Sequence, residues 1–136
     1  MAGYSGTPLL KKLGIKADHS VFFVNEPDHY KKMLGEFPES VSFADPGSDT
    51  SIDFIHVFCN NEKELHNLFP PLKRRLSKNG LLWVSWIKKA SKNYTATFSE
   101  SEVRRLGLRI GLVDVKVCAI DEDWSGLKFV YRIEDR

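Results

Sequence analysis

A thiol beside an imidazole is the minimum equipment for nucleophilic catalysis, because the imidazole can take the thiol proton and leave the reactive thiolate. The chain has two cysteines, Cys59 and Cys118, and four histidines, His19, His29, His56 and His66. His56 and His66 are the histidines nearest to Cys59 in sequence, but His56 lies inside the apolar run Phe54-Ile55-His56-Val57-Phe58. A histidine there is expected to be an interior side chain with its ring nitrogens hydrogen-bonded. The cysteines and histidines lack the close spacing of metal ligands, so no metal is expected. The basic stretch Lys88, Lys89 and Lys92 could hold an anionic group, and it follows directly on Ser85 and Trp86, whose indole could stack on a ring. Further on, Trp124, Ser125 and Gly126 set an aromatic, a hydroxyl and a flexible backbone among acids and a lysine, as a small binding loop would. Asn25, Asn60 and Asn61 each follow a strand-like run, and Asn60 or Asn61 would also serve as a helix cap.

These residues must be positioned by the stretch 51–86, around which the chain is organised. Two apolar, β-branched and aromatic runs flank a segment with Leu65, Leu68, Phe69, Leu72 and Leu76 at helical spacing. Strand, helix, strand with near-continuous apolar strands implies parallel neighbours covered on both faces. Pro70 and Pro71 predict a break near Phe69, with Pro71 opening a second helical piece. Lys78, Asn79 and Gly80 read as the turn into the next strand.

Before this unit, Thr7 and Pro8 predict a helix cap and a proline at the first helical position, with Gly14 as the stop. Residues 20–25 form a first strand. Glu26 and Pro27 begin a helix with Tyr30, Met33 and Leu34 facing the sheet and Gly35 as its stop. Val41 to Ala44 reads as a weak strand near an edge, followed by a turn at Pro46 and Gly47. After the central unit, Ser99 and Glu102 match a capping box, with Val103, Leu106 and Ile110 on the inner face and Gly111 as the stop. The last strands alternate, with Val113, Val115 and Val117 in one and Leu127, Phe129, Tyr131 and Ile133 in the other. The short connection between them, residues 121–126, predicts an antiparallel pair.

With 136 residues, 42% of them hydrophobic and 28% charged, the expectation is one domain over the whole chain, 1–136. A net charge of +2 gives no support to a nucleic-acid partner. No apolar run is long enough to span a bilayer and the start lacks a signal-peptide core, so no membrane partner and a cytoplasmic location are expected. Two cysteines without a disulfide framework agree with a reducing compartment.

The order of elements, with Phe54 to Phe58, the leucine-spaced helix, the run Lys78-Asn79-Gly80-Leu81-Leu82-Trp83-Val84 and the closing pair, resembles the Rossmann-like α/β fold of class I S-adenosylmethionine-dependent methyltransferases in shortened form. That resemblance implies a three-layer sandwich around a mostly parallel sheet in the order second, first, third, fourth, sixth, fifth, with the last strand antiparallel. The segments Gly3-Tyr4-Ser5-Gly6-Thr7-Pro8-Leu9, Trp83-Val84-Ser85-Trp86 with Lys88-Lys89, and Val113 to Cys118 with Trp124-Ser125-Gly126-Leu127-Lys128-Phe129 also resemble a family of small bacterial proteins of unknown function.

In the methyltransferases a glycine-rich turn after the first strand lets the backbone approach the cofactor. Here that turn is Asn25, Glu26, Pro27 and Asp28, with no glycine, a proline that lacks an N–H, and two carboxylates. The resemblance would place the ribose-binding acid at Asp45. The expectation is therefore a non-enzymatic or cryptic protein for an unknown small or anionic ligand, with no cofactor. Its site would be drawn from Asn25, Asn60, Ser85, Trp86, Lys88, Lys89, Trp124 and Ser125, at the carboxyl ends of the strands where strand order reverses. The alternatives are an atypical S-adenosylmethionine-dependent methyltransferase and an accessory protein that binds anions or nucleic acid through Lys88, Lys89 and Lys92.

Overall fold

The structure, a computed structural model, describes residues 8–136. In chain order its elements are α1 (Leu9–Leu13), β1 (Ser20–Val24), α2 (Tyr30–Leu34), β2 (Ser42–Phe43), β3 (Ile52–Phe58), α3 (Glu62–Arg75), β4 (Leu76–Ile87), α4 (Glu100–Arg109), β5 (Leu112–Ala119) and β6 (Trp124–Tyr131), followed by a 3-10 turn at Ile133–Asp135. The strands form a six-stranded sheet in the order β2-β1-β3-β4-β6-β5. β2, β1, β3 and β4 run parallel, and β6 enters antiparallel between β4 and β5. Order and reversal are those expected.

β3 and β4 are central because both of their faces are apolar. On one face, Ile55, Val57, Leu82 and Val84 share a core with Leu65, Phe69 and Leu72 of α3 and Val103 and Leu106 of α4. On the other, Phe54, Phe58 and Trp83 share a core with Leu13 of α1 and Tyr30 and Leu34 of α2. The Trp83 indole N–H donates to the Leu13 carbonyl at 2.8 Å, fixing the end of α1 to β4. α4 lies close on β6: a Cβ at Gly107 would stand 2.0 Å from the Phe129 ring, so only a residue without one lets helix and strand approach this far.

Several local expectations are corrected by the structure. α3 runs unbroken through Pro70 and Pro71. The carbonyls those prolines leave without a helical donor belong to His66 and Asn67, which are exposed, so water can replace the missing N–H groups while Leu65, Phe69 and Leu72 stay buried. Lys78, Asn79 and Gly80 are not a turn. They lie within β4, and since Ile52 pairs with Leu76 but Phe54 with Leu81, they bulge out of the ladder. The helix-to-strand change happens earlier, at Leu76, whose backbone is already extended.

α2 begins at Tyr30, not at Glu26, because residues 25–29 first make a turn: Asn25 sits at φ 57 and the Tyr30 N–H donates to the Pro27 carbonyl at 3.0 Å. Pro8 occupies the cap position of α1 rather than its first helical position, and the Thr7 cap lies outside the described residues. α4 starts after Ser99 as expected, but the Ser99 hydroxyl makes no capping bond. The Glu102 N–H that it would have capped donates to the Ser99 carbonyl at 3.1 Å. Gly14 and Gly111 follow the expected helix ends at φ 95 and 97, values that favour glycine.

β5 is an edge strand with a bulge at Val115, since Asp114 pairs with Phe129 but Lys116 with Lys128. Val115 and Val117 are therefore exposed, and the inward positions go to Leu112 and Cys118. Leu127, Phe129 and Tyr131 alternate inward as expected, whereas Ile133 falls in the 3-10 turn and is exposed. Trp124, Ser125 and Gly126 belong to β6 itself, not to the loop before it.

Candidate functional site

The carboxyl ends of the parallel strands form one edge of the sheet, and α3 starts there. The Asn61 side-chain oxygen accepts the Glu64 N–H at 2.9 Å, and the Glu64 carboxylate accepts the Asn60 N–H at 2.7 Å, so Asn61 is the helix cap. The Asn60 side chain is exposed, and its carbonyl accepts the Thr97 hydroxyl at 3.0 Å, tying the segment before α4 to the end of β3.

The basic loop after β4 is held down. The Lys88 N–H donates to the Asp123 carbonyl at 2.8 Å, and the Asp123 carboxylate accepts from the Ser91 hydroxyl at 2.8 Å and from Asn93 Nδ2 at 3.1 and 3.2 Å. Between this loop, β6 and the start of α4 opens a pocket of about 530 Å³ lined by Trp86, Lys88, Lys89, Thr97, Ser99 and Ser125, among others. Trp86 and Phe98 are buried against the core and give it an apolar wall. Of the two acids at its rim, Glu100 is neutralised by the Arg104 guanidinium, which also pairs with Asp114 at 3.0 Å. Four of the residues expected from the sequence thus meet in one place. Thr97 and Ser99 were missed, because their only signal was adjacency to the start of α4.

Ser85 is not in that pocket. It is fully buried on the other face of β4, where its hydroxyl is hydrogen-bonded to His56 Nε2 at 2.7 Å while the Tyr30 hydroxyl bonds His56 Nδ1 at 2.6 Å. A serine on an imidazole could begin a nucleophilic dyad at a surface, but His56 is fully buried. Burial drives its pKa down to about 3, so the ring is neutral, donating from one nitrogen and accepting at the other. Cys59 is buried as well, and burial followed by the charge of Glu64 pushes its thiol up to about 12, which leaves no thiolate at neutral pH.

Trp124 is buried among Phe58, Ile87 and Ile120 on the face of Trp83, so it stands across the sheet from Trp86. Asn25 is exposed on the β1–α2 turn, apart from the pocket's lining. That turn is anchored by His29, whose Nε2 meets the Asp121 carboxylate at 2.8 Å. The other Asp121 oxygen accepts the N–H groups of Asp123 and Trp124, each at 2.8 Å. No spacing rule could have paired residues 29 and 121.

The comparisons with known proteins agree on architecture. No protein-family model and no curated protein sequence matches the chain. Among solved structures, a methyltransferase from Aquifex aeolicus described as S-adenosylmethionine-dependent matches at a TM-score of 0.60 and 19% identity, over 89% of this chain and 86% of that one. The chain has a methyltransferase-like Rossmann fold. A TehB-like methyltransferase of the same cofactor class from Corynebacterium glutamicum matches at 0.57 and 11% identity, over 96% and 91% of the two chains. The 1,6-didemethyltoxoflavin-N1-methyltransferase of Burkholderia thailandensis, solved with S-adenosylhomocysteine, matches at 0.58 and 11% identity, over 90% and 76%.

The methyltransferase-like fold raises the question whether these residues suit that cofactor, and two observations say they do not. The β1–α2 turn offers Glu26 and Asp28 where a carboxylate-bearing ligand needs free N–H groups, and it is closed by its own Pro27–Tyr30 bond. Asp45 does not reach the carboxyl edge. β2 ends beside Val21, the Asp45 carboxylate accepts the Gly47 N–H at 2.9 Å, and the Asp45 carbonyl accepts from Arg75 at the far end of α3. Among the described residues, no group of acids, histidines and cysteines is placed to hold a metal ion, and no helix is long and apolar enough to cross a membrane.

Proposed function

We propose that this protein binds a small ligand with an acidic group on a methyltransferase-like fold, in the pocket between β4, β6 and α4, without S-adenosylmethionine. The observation that carries this reading is the convergence of Lys88 and Lys89 with the Trp86–Phe98 wall in one open pocket of about 530 Å³. That volume is of the size that takes small molecules. Lys88 and Lys89 line the pocket together with the first turn of α4, whose positive dipole end favours negative charge. The apolar wall accommodates a ring or short chain beside the acid.

The structural neighbours favour a second reading, a methyltransferase with an atypical cofactor site. Thermal unfolding with and without S-adenosylhomocysteine separates the two, since a ligand of the native state raises the unfolding midpoint by mass action. No shift up to millimolar ligand is expected. A saturable rise would overturn the first reading and establish the second. For the pocket itself, the aromatic sulfonate 1-anilinonaphthalene-8-sulfonate is a suitable probe. Its binding to the folded protein should weaken severalfold in Lys88→Gln and Lys89→Gln and stay unchanged in Lys63→Gln, on the outer side of α3. Equal binding by all four proteins would remove this pocket as the site.

A further inference from the structure

Across the sheet from that pocket, two lysines from neighbouring strands stand together with no counter-ion. Lys116 of β5 and Lys128 of β6 are directly opposed cross-strand partners. The Lys128 ammonium stands 5.8 Å from the centre of the Trp83 ring, on the face where Leu13 at the end of α1 holds the indole N–H. The turn after α1 brings Lys16 within electrostatic reach. Burial, then the charges of Lys116 and Lys16, hold the Lys128 ammonium below the ordinary lysine value. Among the described residues no carboxylate lies within 4.0 Å of any of the three ammoniums.

Like charges set directly opposite on paired strands oppose folding, and the contact of Lys128 with the Trp83 ring offsets only part of the repulsion here. Local rules are broken in this way mainly at functional positions. An anion seated between the Lys116 and Lys128 ammoniums would remove the repulsion and gain charge-assisted hydrogen bonds. Lysine is suited to that task, since its ammonium acts as a point charge with three donors.

We propose that Lys116 and Lys128 form a second binding site, separate from the pocket at Trp86, for a compact and multiply charged phosphate group such as a phosphomonoester or a short polyphosphate. The compact form follows from the layout. The two ammoniums belong to directly opposed residues, one of them over an indole, whereas a polynucleotide is held by a track of charges along its backbone.

Calorimetric titration with tripolyphosphate at low and at moderate salt tests the site. Saturable binding of one anion per chain is expected, weakening as salt rises. Lys128→Gln and Lys116→Gln should each lower the affinity about tenfold or more, while the charge-matched control Lys63→Gln leaves it unchanged. The same two substitutions should raise the unfolding midpoint of the free protein, because they relieve the repulsion. Affinity that survives Lys128→Gln, or falls equally in Lys63→Gln, overturns the proposal. So does a single-stranded oligonucleotide that binds more tightly than tripolyphosphate, since that would identify a nucleic-acid surface instead.

Discussion

A neutral imidazole held between two hydroxyls in a dry interior can stay there only while it carries no proton. His56 is such a group, with its pKa lowered from the ordinary 6.5 to about 3 by burial. The unfolded chain therefore binds a proton at this residue below pH 6.5 that the native state refuses until about pH 3. Stability consequently falls as pH drops through that window and is fully present above it. At about 1.4 kcal/mol per pH unit the accumulated loss is on the order of 5 kcal/mol. Urea unfolding of wild type and His56→Gln across pH 4 to 7 should show a steeper loss of stability in the wild type. Equal slopes would mean that the native ring already takes up its proton. The substitution itself should cost about 2–4 kcal/mol near neutrality, because it disturbs both the Tyr30 and Ser85 hydroxyls. That His56 is interior was legible in its apolar neighbours. Its partners were not, since they lie 26 and 29 residues away and only the meeting of β3, β4 and α2 joins them.

At the scale of elements, α3 and α4 respond to substitution in opposite ways for packing reasons. Pro71 is exposed in the middle of a helix that stays intact around it, so Pro71→Ala restores a missing donor on the outer surface. It should raise stability by about 1 kcal/mol, the helical gain being offset in part by a more flexible unfolded chain. Gly107→Ala improves helix propensity by about 1 kcal/mol, yet it should destabilise. The added methyl meets the Phe129 ring, and overpacking of this kind costs about 1–3 kcal/mol. Denaturant midpoints of the two variants should therefore move in opposite directions. The sequence made both helices legible through the spacing of Leu65, Phe69 and Leu72 and of Val103 and Leu106. It could not show that α3 survives its prolines, because that depends on which side of the helix the freed carbonyls face. The inward turn of Cys118 in place of Val117 was hidden for a similar reason: a bulge at Val115 reverses the alternation, and nothing in the strand's own residues announces it.

For the whole molecule, the sheet is strongest at its middle and thinnest at the β2 side. β3 and β4 are buried on both faces, whereas β2 has two residues, joined to β1 and its approach by the Ser42 N–H to His19 and the Ala44 N–H to Val21. Amide hydrogen exchange should be fast at Ser42 and Ala44 and should approach the global unfolding limit at Val57 and Val84. Comparable protection at all four would mean that β2 opens only with the rest of the sheet. The strand order itself was legible through likeness to a known architecture, while the pocket lining was half legible, because Trp86, Lys88 and Lys89 are contiguous but Thr97 and Ser99 arrive from another element. The thin side also carries the Arg75 clamp, in which one guanidinium gathers the carbonyls of Asp45, Pro46 and Thr50 at 3.2, 3.2 and 3.4 Å. The clamp fixes both ends of a small loop whose tip, at Gly47 and Asp49, is exposed and outside its grip. A tag or a tether spliced in at that tip would leave the molecule on the β2 side of the sheet, the side away from β6, which borders both proposed sites. The protein could thus be anchored to a surface there with both proposed sites open to solution.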